Sequence, residues 1–247
     1  MKKTLFIMII MMLLFIPILV GFEQTEASGG VLLVHDQKAL EEIAQLHTTQ
    51  YVKNIIVLPT GSYEMDEVVS MINRISRIHP SILKKAADQG VKLKLFEGPL
   101  TNQPGYTQLK GVKPRGYKQL TWDQIPGAGG SKMALAKIGH SQRGESHGSV
   151  NLELHELAHS IEQHVFHSLR FEQEFRDIWH EEARLLFPNQ PYFIDYPEEY
   201  FAEVFAMFYL NGKTKLEIVK KAPKTYEYMK ALELREETDL QLAYTFH

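Results

Sequence analysis

An α+β fold is what this 247-residue chain predicts, with a small mixed sheet and helices in its N-terminal half and a mostly helical C-terminal half. Three observations carry the prediction. Short β-branched or alternating runs occur only in the first part of the chain, interleaved with amphipathic segments. A stretch dense in Pro and Gly spans residues 97–131. From residue 149 onward the apolar spacing is almost wholly helical, so strands and helices segregate along the chain.

Asp36 can cap a helix running through Thr48, with Leu40, Ile43, Ala44 and Leu46 on its apolar side. Asn54–Leu58, closed by Pro59, is a short buried strand. Val68, Val69, Ile72 and Ile75 set the apolar spacing of a helix over Met65–His79. Pro80 restarts a short helix that Gly90 ends, and Val91–Phe96 alternates like a half-buried strand. The Pro- and Gly-rich stretch that follows is a long loop, and such loops are usually functional or mobile. Met133–Ile138 is a further strand. Helices are then expected over Ser149–Leu169, with Ser149 as N-cap, and over Phe171–Phe187, Glu198–Leu210 and Ala222–Leu234.

Ahead of this domain lies an address. Lys2 and Lys3 precede an apolar run from Leu5 to Val20 broken only by Pro17, and Thr25-Glu26-Ala27 offers small residues at a cleavage site. The run is short for a bilayer that needs about 20 residues. Residues 1–27 therefore read as a secretory signal peptide and 28–247 as one secreted, extracellular domain without stable membrane insertion. A cysteine-free secreted chain suits bacterial export of the Gram-positive type. The missing cysteines also exclude a disulfide framework, a thiolate nucleophile and an iron–sulfur cluster. A formal charge of −3 argues against a nucleic-acid partner.

The chemistry must then come from His, Asp, Glu, Tyr or Ser. His155-Glu156-Leu157-Ala158-His159 has the pattern H-E-x-x-H. On a helix, residues four apart share a face, so both imidazoles can reach one metal ion. Two neutral imidazoles suit one Zn²⁺ per chain and leave room for a third protein ligand and a water, whose pKa zinc lowers toward ~7. Glu156, beside that face, can take the proton. A third His six residues after His159 is ruled out, because position 165 is Val. A downstream carboxylate is the better candidate. Glu199 and Glu203 stand one turn apart on a helix, so we expect Glu199 as ligand and Glu203 as the group that orients a ligand histidine, with Glu198 pointing elsewhere. His164 and His167 turn away from the ligand face and are expected to be solvated, and His147 either borders the cleft or packs in its loop.

His155–His159, then Tyr192, then Glu199 seven residues later within Glu-Tyr-Phe-Ala-Glu, together resemble the catalytic domain of anthrax lethal factor. Lys221-Ala222-Pro223-Lys224-Thr225-Tyr226 resembles its C-terminal stretch. The likeness is closer to the smaller secreted Pro-Pro endopeptidases of Gram-positive bacteria and covers residues 54–230. It includes Leu109-Lys110-Gly111-Val112, Trp122-Asp123, Pro126-Gly127-Ala128-Gly129-Gly130 and Asn151-Leu152-Glu153-Leu154-His155. The resemblance implies a lethal-factor-like zinc metallopeptidase with His155, His159 and Glu199 as ligands, Glu156 as general base and Tyr192 as a transition-state hydrogen-bond donor. It also implies a proline-rich protein or peptide substrate cut between two prolines. Tyr117, Trp122 and Glu198 are the candidate substrate contacts, with Tyr117 offering a flat face to a proline ring where this chain departs from the family. Tyr196 is expected only to pack. Two other readings keep the fold: a docking module without catalysis, and a zinc endopeptidase of different sequence preference.

Overall fold

The computed structural model describes residues 29–114 and 119–245. The signal segment 1–27 and Tyr117 lie outside the described residues. Five strands form one mixed sheet: β1 (Val31–Leu32), β2 (Ile56–Leu58), β3 (Lys92–Phe96), β4 (Gly127–Ala128) and β5 (Met133–Lys137), in the order β1-β2-β3-β5-β4. The inner pairs β2–β3 and β3–β5 are parallel, and the outer pairs β1–β2 and β4–β5 are antiparallel. The short β1 and β4 were not apparent in the sequence, because two-residue strands carry no periodicity.

The sheet separates two apolar clusters. Leu93, Leu95, Ala134 and Ala136 face the main core, while Phe96 and Leu135 face a smaller cluster with Leu100, Ile125 and Ala128. β3 is therefore buried on both faces, Lys94 included at 3% exposure, rather than half-buried. Inner parallel strands are covered on both sides, and this one follows that rule.

Helices α1 (Gln37–Glu42), α2 (Thr49–Val52), α3 (Met65–Ile75) and α4 (Pro80–Asp88) flank the first three strands. Asp36 caps α1 by accepting from the Ala39 N–H at 3.0 Å. The expected helix through Thr48 stops early because the Thr49 hydroxyl donates to the carbonyls of Ile43 and Leu46, and such local bonds compete with the helix ladder. α3 likewise ends at Ile75, where the Ser76 hydroxyl bonds back to the Asn73 carbonyl at 2.8 Å.

The C-terminal half is α5 (Leu152–His164), α6 (Gln173–Leu186), α7 (Pro191–Asp195), α8 (Pro197–Leu210), α9 (Gly212–Lys221) and α10 (Pro223–Thr245). α5 lies against β5, where Ala134 and Ala136 leave room for a helix, and against α8. Its N-cap is Asn151, whose side chain accepts from the Leu154 N–H at 3.0 Å. Ser149 does not cap it; its hydroxyl pairs with Nδ1 of His147. α9 was not expected, and Asn211 starts it by accepting from the N–H groups of Lys213 and Thr214. Among the described residues no helix is long and apolar enough to cross a membrane.

Candidate active site

The buried pairing of α5 with α8 sets two polar rows face to face inside an apolar wall. α5 supplies His155, Glu156 and His159, and α8 supplies Glu199 and Glu203. Each row is one helical turn long, so side chains four apart project together. Nε2 of His155 and Nε2 of His159 lie 3.2 Å apart, and Oε2 of Glu199 is 3.3 Å from each. These three ligand atoms all fall within 4.8 Å of one another. Two imidazole nitrogens and one carboxylate oxygen converging on one point fit a tetrahedral zinc site that keeps a position open.

Glu203 turns its carboxylate to the other side of His155. Oε2 is 3.3 Å from Nδ1 of His155, which directs Nε2 toward the convergence point. Oε1 accepts from the Arg143 guanidinium at 2.7 Å and from the Val150 N–H at 2.9 Å. Glu203 has no exposed surface, and among the described residues its two oxygens are met by His155, Arg143 and the Val150 N–H. Burial lowers the affinity of His155 for a proton, but hydrogen bonds to Glu199 and Glu203 outweigh it and raise the imidazole pKa to about 10. Burial would raise Glu199, and the hydrogen bonds from His155 and His159 hold it well below the usual carboxylate range instead. Desolvation raises the Glu156 carboxyl, against the pull of the two histidines.

A cleft of about 750 Å³ opens over these groups. Tyr192, Trp122 and Glu198 all line it, so Glu198, expected to point elsewhere than Glu199, faces the same cleft. Tyr196 is absent from the lining and packs edge-on against Tyr192, ring centroids 5.7 Å apart. His147 does both things expected of it: it borders the cleft, and its ring nitrogens are tied to the Ser149 hydroxyl and the His140 carbonyl. His164 differs from expectation. Its Nε2 is buried without a hydrogen-bond partner among the described residues, away from the ligand cluster.

Several cleft residues escaped the sequence reading, notably Tyr106, Gln163 and Arg170. Gln163 stands one turn past His159 on α5, so helical spacing could have found it, whereas Tyr106 comes from a loop and Arg170 from the chain leaving α5, where no local rule applies. Gly127 and Gly129 also line the cleft, and here a sequence signal existed. A Cβ at Gly129 would sit 2.3 Å from the Glu156 carbonyl oxygen, and one at Gly127 would sit 2.7 Å from Glu156 Cγ. The glycines in Pro126–Gly130 are what allows β4 to lie directly on the helix that carries the histidines. Among the described residues β4 is an edge strand, paired with β5 on one side. Asp123 pins the loop ahead of it, accepting from the Thr101 hydroxyl at 2.8 Å and the Gly111 N–H at 2.7 Å.

The model of a family described as anthrax toxin lethal factor, N- and C-terminal domain, matches residues 42–232. The chain is similar to a Pro-Pro endopeptidase of Clostridioides difficile, 41% identical over 180 residues that make up 72% of this chain and 81% of that one. It is also similar to a Pro-Pro endopeptidase of Paenibacillus alvei, 37% identical over 180 residues, 72% of this chain and 82% of the relative. The solved structure of the Pro-Pro endopeptidase from Paenibacillus alvei superposes with a TM-score of 0.69 at 37% identity, covering 72% of this chain and 97% of that one.

Proposed function

The chain belongs to the anthrax toxin lethal factor family, and on that premise we propose that it is a secreted zinc metalloendopeptidase cutting proline-rich extracellular or cell-surface proteins between two prolines. One observation carries the proposal: His155, His159 and Glu199 converge beneath a cleft in a chain 41% identical to a Pro-Pro endopeptidase. Secretion rests on the basic start and apolar run of residues 1–27.

His155, His159 and Glu199 would hold one zinc ion, which when bound supplies Lewis-acid polarisation and a water of lowered pKa. Glu203 keeps the His155 ring in place through Nδ1. The Glu156 carboxylate takes the proton of the attacking water and passes it to the departing prolyl nitrogen, the bond to which then breaks. The Tyr192 hydroxyl donates to the scissile carbonyl oxygen as that oxygen becomes anionic. The open edge of β4 gives an extended peptide a strand to lie beside, and Trp122 offers a flat apolar surface to a proline ring.

The test is cleavage of a combinatorial peptide library by residues 28–247, with and without chelator, read by mass spectrometry. Chelator-sensitive cuts between two prolines are expected, and Glu156→Gln abolishes them. Chelator-sensitive cuts elsewhere would leave a zinc endopeptidase of another preference. Zinc bound with no cuts at all would leave a docking module.

A further inference from the structure

The chain leaving α5 is bent in an unusual way to bring one cation to the cleft. His167 and Ser168 are consecutive, neither is glycine, and both have positive φ, 56° and 69°. Side chains rarely occupy that region, and residues held there mark places where the surrounding structure has over-determined the backbone. The Ser168 N–H donates to the Glu162 carbonyl at 2.9 Å, and a 3-10 turn over Leu169–Phe171 follows. The reversal folds Arg170 back onto Glu162. Oε1 of Glu162 accepts from the Arg170 backbone N–H at 3.0 Å and from its Nε at 3.1 Å, and Oε2 accepts from Nη2. The Glu162 side chain is 1% exposed and that of Arg170 is 24% exposed, and Arg170 lines the cleft. Of the five N–H donors of a guanidinium, the fork engages those on Nε and one on Nη2. Among the described residues, the Nη1 end has no hydrogen-bond partner.

A neutral acceptor suits that end better than an anion. Glu198 and Glu199 lie within electrostatic reach of Arg170, so a substrate carboxylate placed there would meet other carboxylates. A proline-rich peptide has the complementary chemistry. The nitrogen of each Xaa-Pro bond carries no hydrogen, so such a segment offers the protein backbone acceptors almost without donors. A cleft that recognises it must supply donors of its own.

We infer that Arg170 is a specificity-determining residue whose Nη1 end donates to a backbone carbonyl of the prolyl segment, with buried Glu162 fixing the guanidinium. The inference rests on the peptidase reading for the class of ligand. It is a role for Arg170 that neither the H-E-x-x-H helix nor the downstream glutamates contain.

The experiment measures binding rather than turnover. Zinc-loaded Glu156→Gln protein is titrated by fluorescence polarisation with a labelled octapeptide bearing Pro-Pro at its centre, and with versions in which one prolyl carbonyl at a time is reduced to methylene. The same titrations are run on Glu156→Gln carrying Arg170→Met with Glu162→Gln, which removes the cation without stranding a buried carboxylate. One reduction is expected to weaken binding about tenfold when Arg170 is present and by no more than about twofold when it is absent. Acetohydroxamate, which binds zinc and carries no prolyl carbonyl, should bind both proteins alike. Equal losses from every reduction in both proteins overturn the inference, as does failure of the unedited peptide to bind, or parallel loss of acetohydroxamate binding in the Arg170 variant. Failure of the peptidase reading shows separately, as lack of cleavage of the unedited peptide by the protein retaining Glu156.

Discussion

Oε2 of Glu203 lies 3.3 Å from Nδ1 of His155, while Oε1 of the same buried carboxylate is held by Arg143 and by the Val150 N–H. One glutamate thus ties the ring of a candidate ligand to the loop at the mouth of the cleft. The loop residues His147, Gly148 and Ser149 line that cleft, so loop placement and ring orientation share an anchor.

Glu203→Ala is therefore expected to weaken zinc binding by roughly 10- to 100-fold, the range for loss of a group that orients a ligand histidine. Competition against a chromogenic chelator measures it. Arg143→Ala should give a smaller loss in the same direction, because Val150 still donates to Glu203. Unchanged affinity in Glu203→Ala would remove Glu203 from the site.

Zinc loading should release protons. Without metal, His155 is raised to about 10 by its two carboxylates, so at pH 7 it carries a proton that the metal must displace. Affinity consequently rises with pH across the range below about 10, by up to roughly tenfold per unit for each displaced proton. Calorimetry at pH 7 in buffers of different ionisation enthalpy reads the number released, and a value of zero would contradict the hydrogen bonds that Glu199 and Glu203 make to the ring.

Gly129→Ala should disrupt the site by geometry alone. The new methyl would press on the Glu156 carbonyl oxygen and on Cβ of His159, both in the body of α5. Overpacking of this kind destabilises by about 1–3 kcal/mol, and here the displaced element carries the histidines. Gly61→Ala, where nothing lies within 4 Å, is the control. Thermal unfolding and zinc content should fall together in the first variant and stay level in the second.

Tyr192→Phe is expected to lower kcat by roughly 10²- to 10³-fold with little change in KM, as removal of a transition-state donor does. Tyr196→Phe should leave both constants nearly unchanged, since its ring packs on Tyr192 outside the cleft lining. Equal effects of the two substitutions would show that the hydroxyl of Tyr192 has no special role.

What the sequence determined by itself was everything that helical periodicity can specify. The spacing of His155 and His159, and of Glu199 and Glu203, places each pair on one helix face whatever the rest of the chain does, because 3.6 residues per turn is a local property. The confinement of strands to the first part of the chain, with an all-helical stretch after them, was legible from periodicity as well. What only the tertiary structure decided were pairings across distance: the α5–α8 packing that points the two rows at each other, Arg143 reaching Glu203, and β4 seated on α5 through Gly127 and Gly129. Helix ends also belong to this class. Asn151 rather than Ser149 caps α5 because the chain stays extended through Asn151, bridged to Gln142, before the helix starts at Leu152, and left-handed backbone at His167 and Ser168 brought Arg170 home to Glu162. No periodicity encodes these, since each depends on which surfaces the folded chain buries against one another.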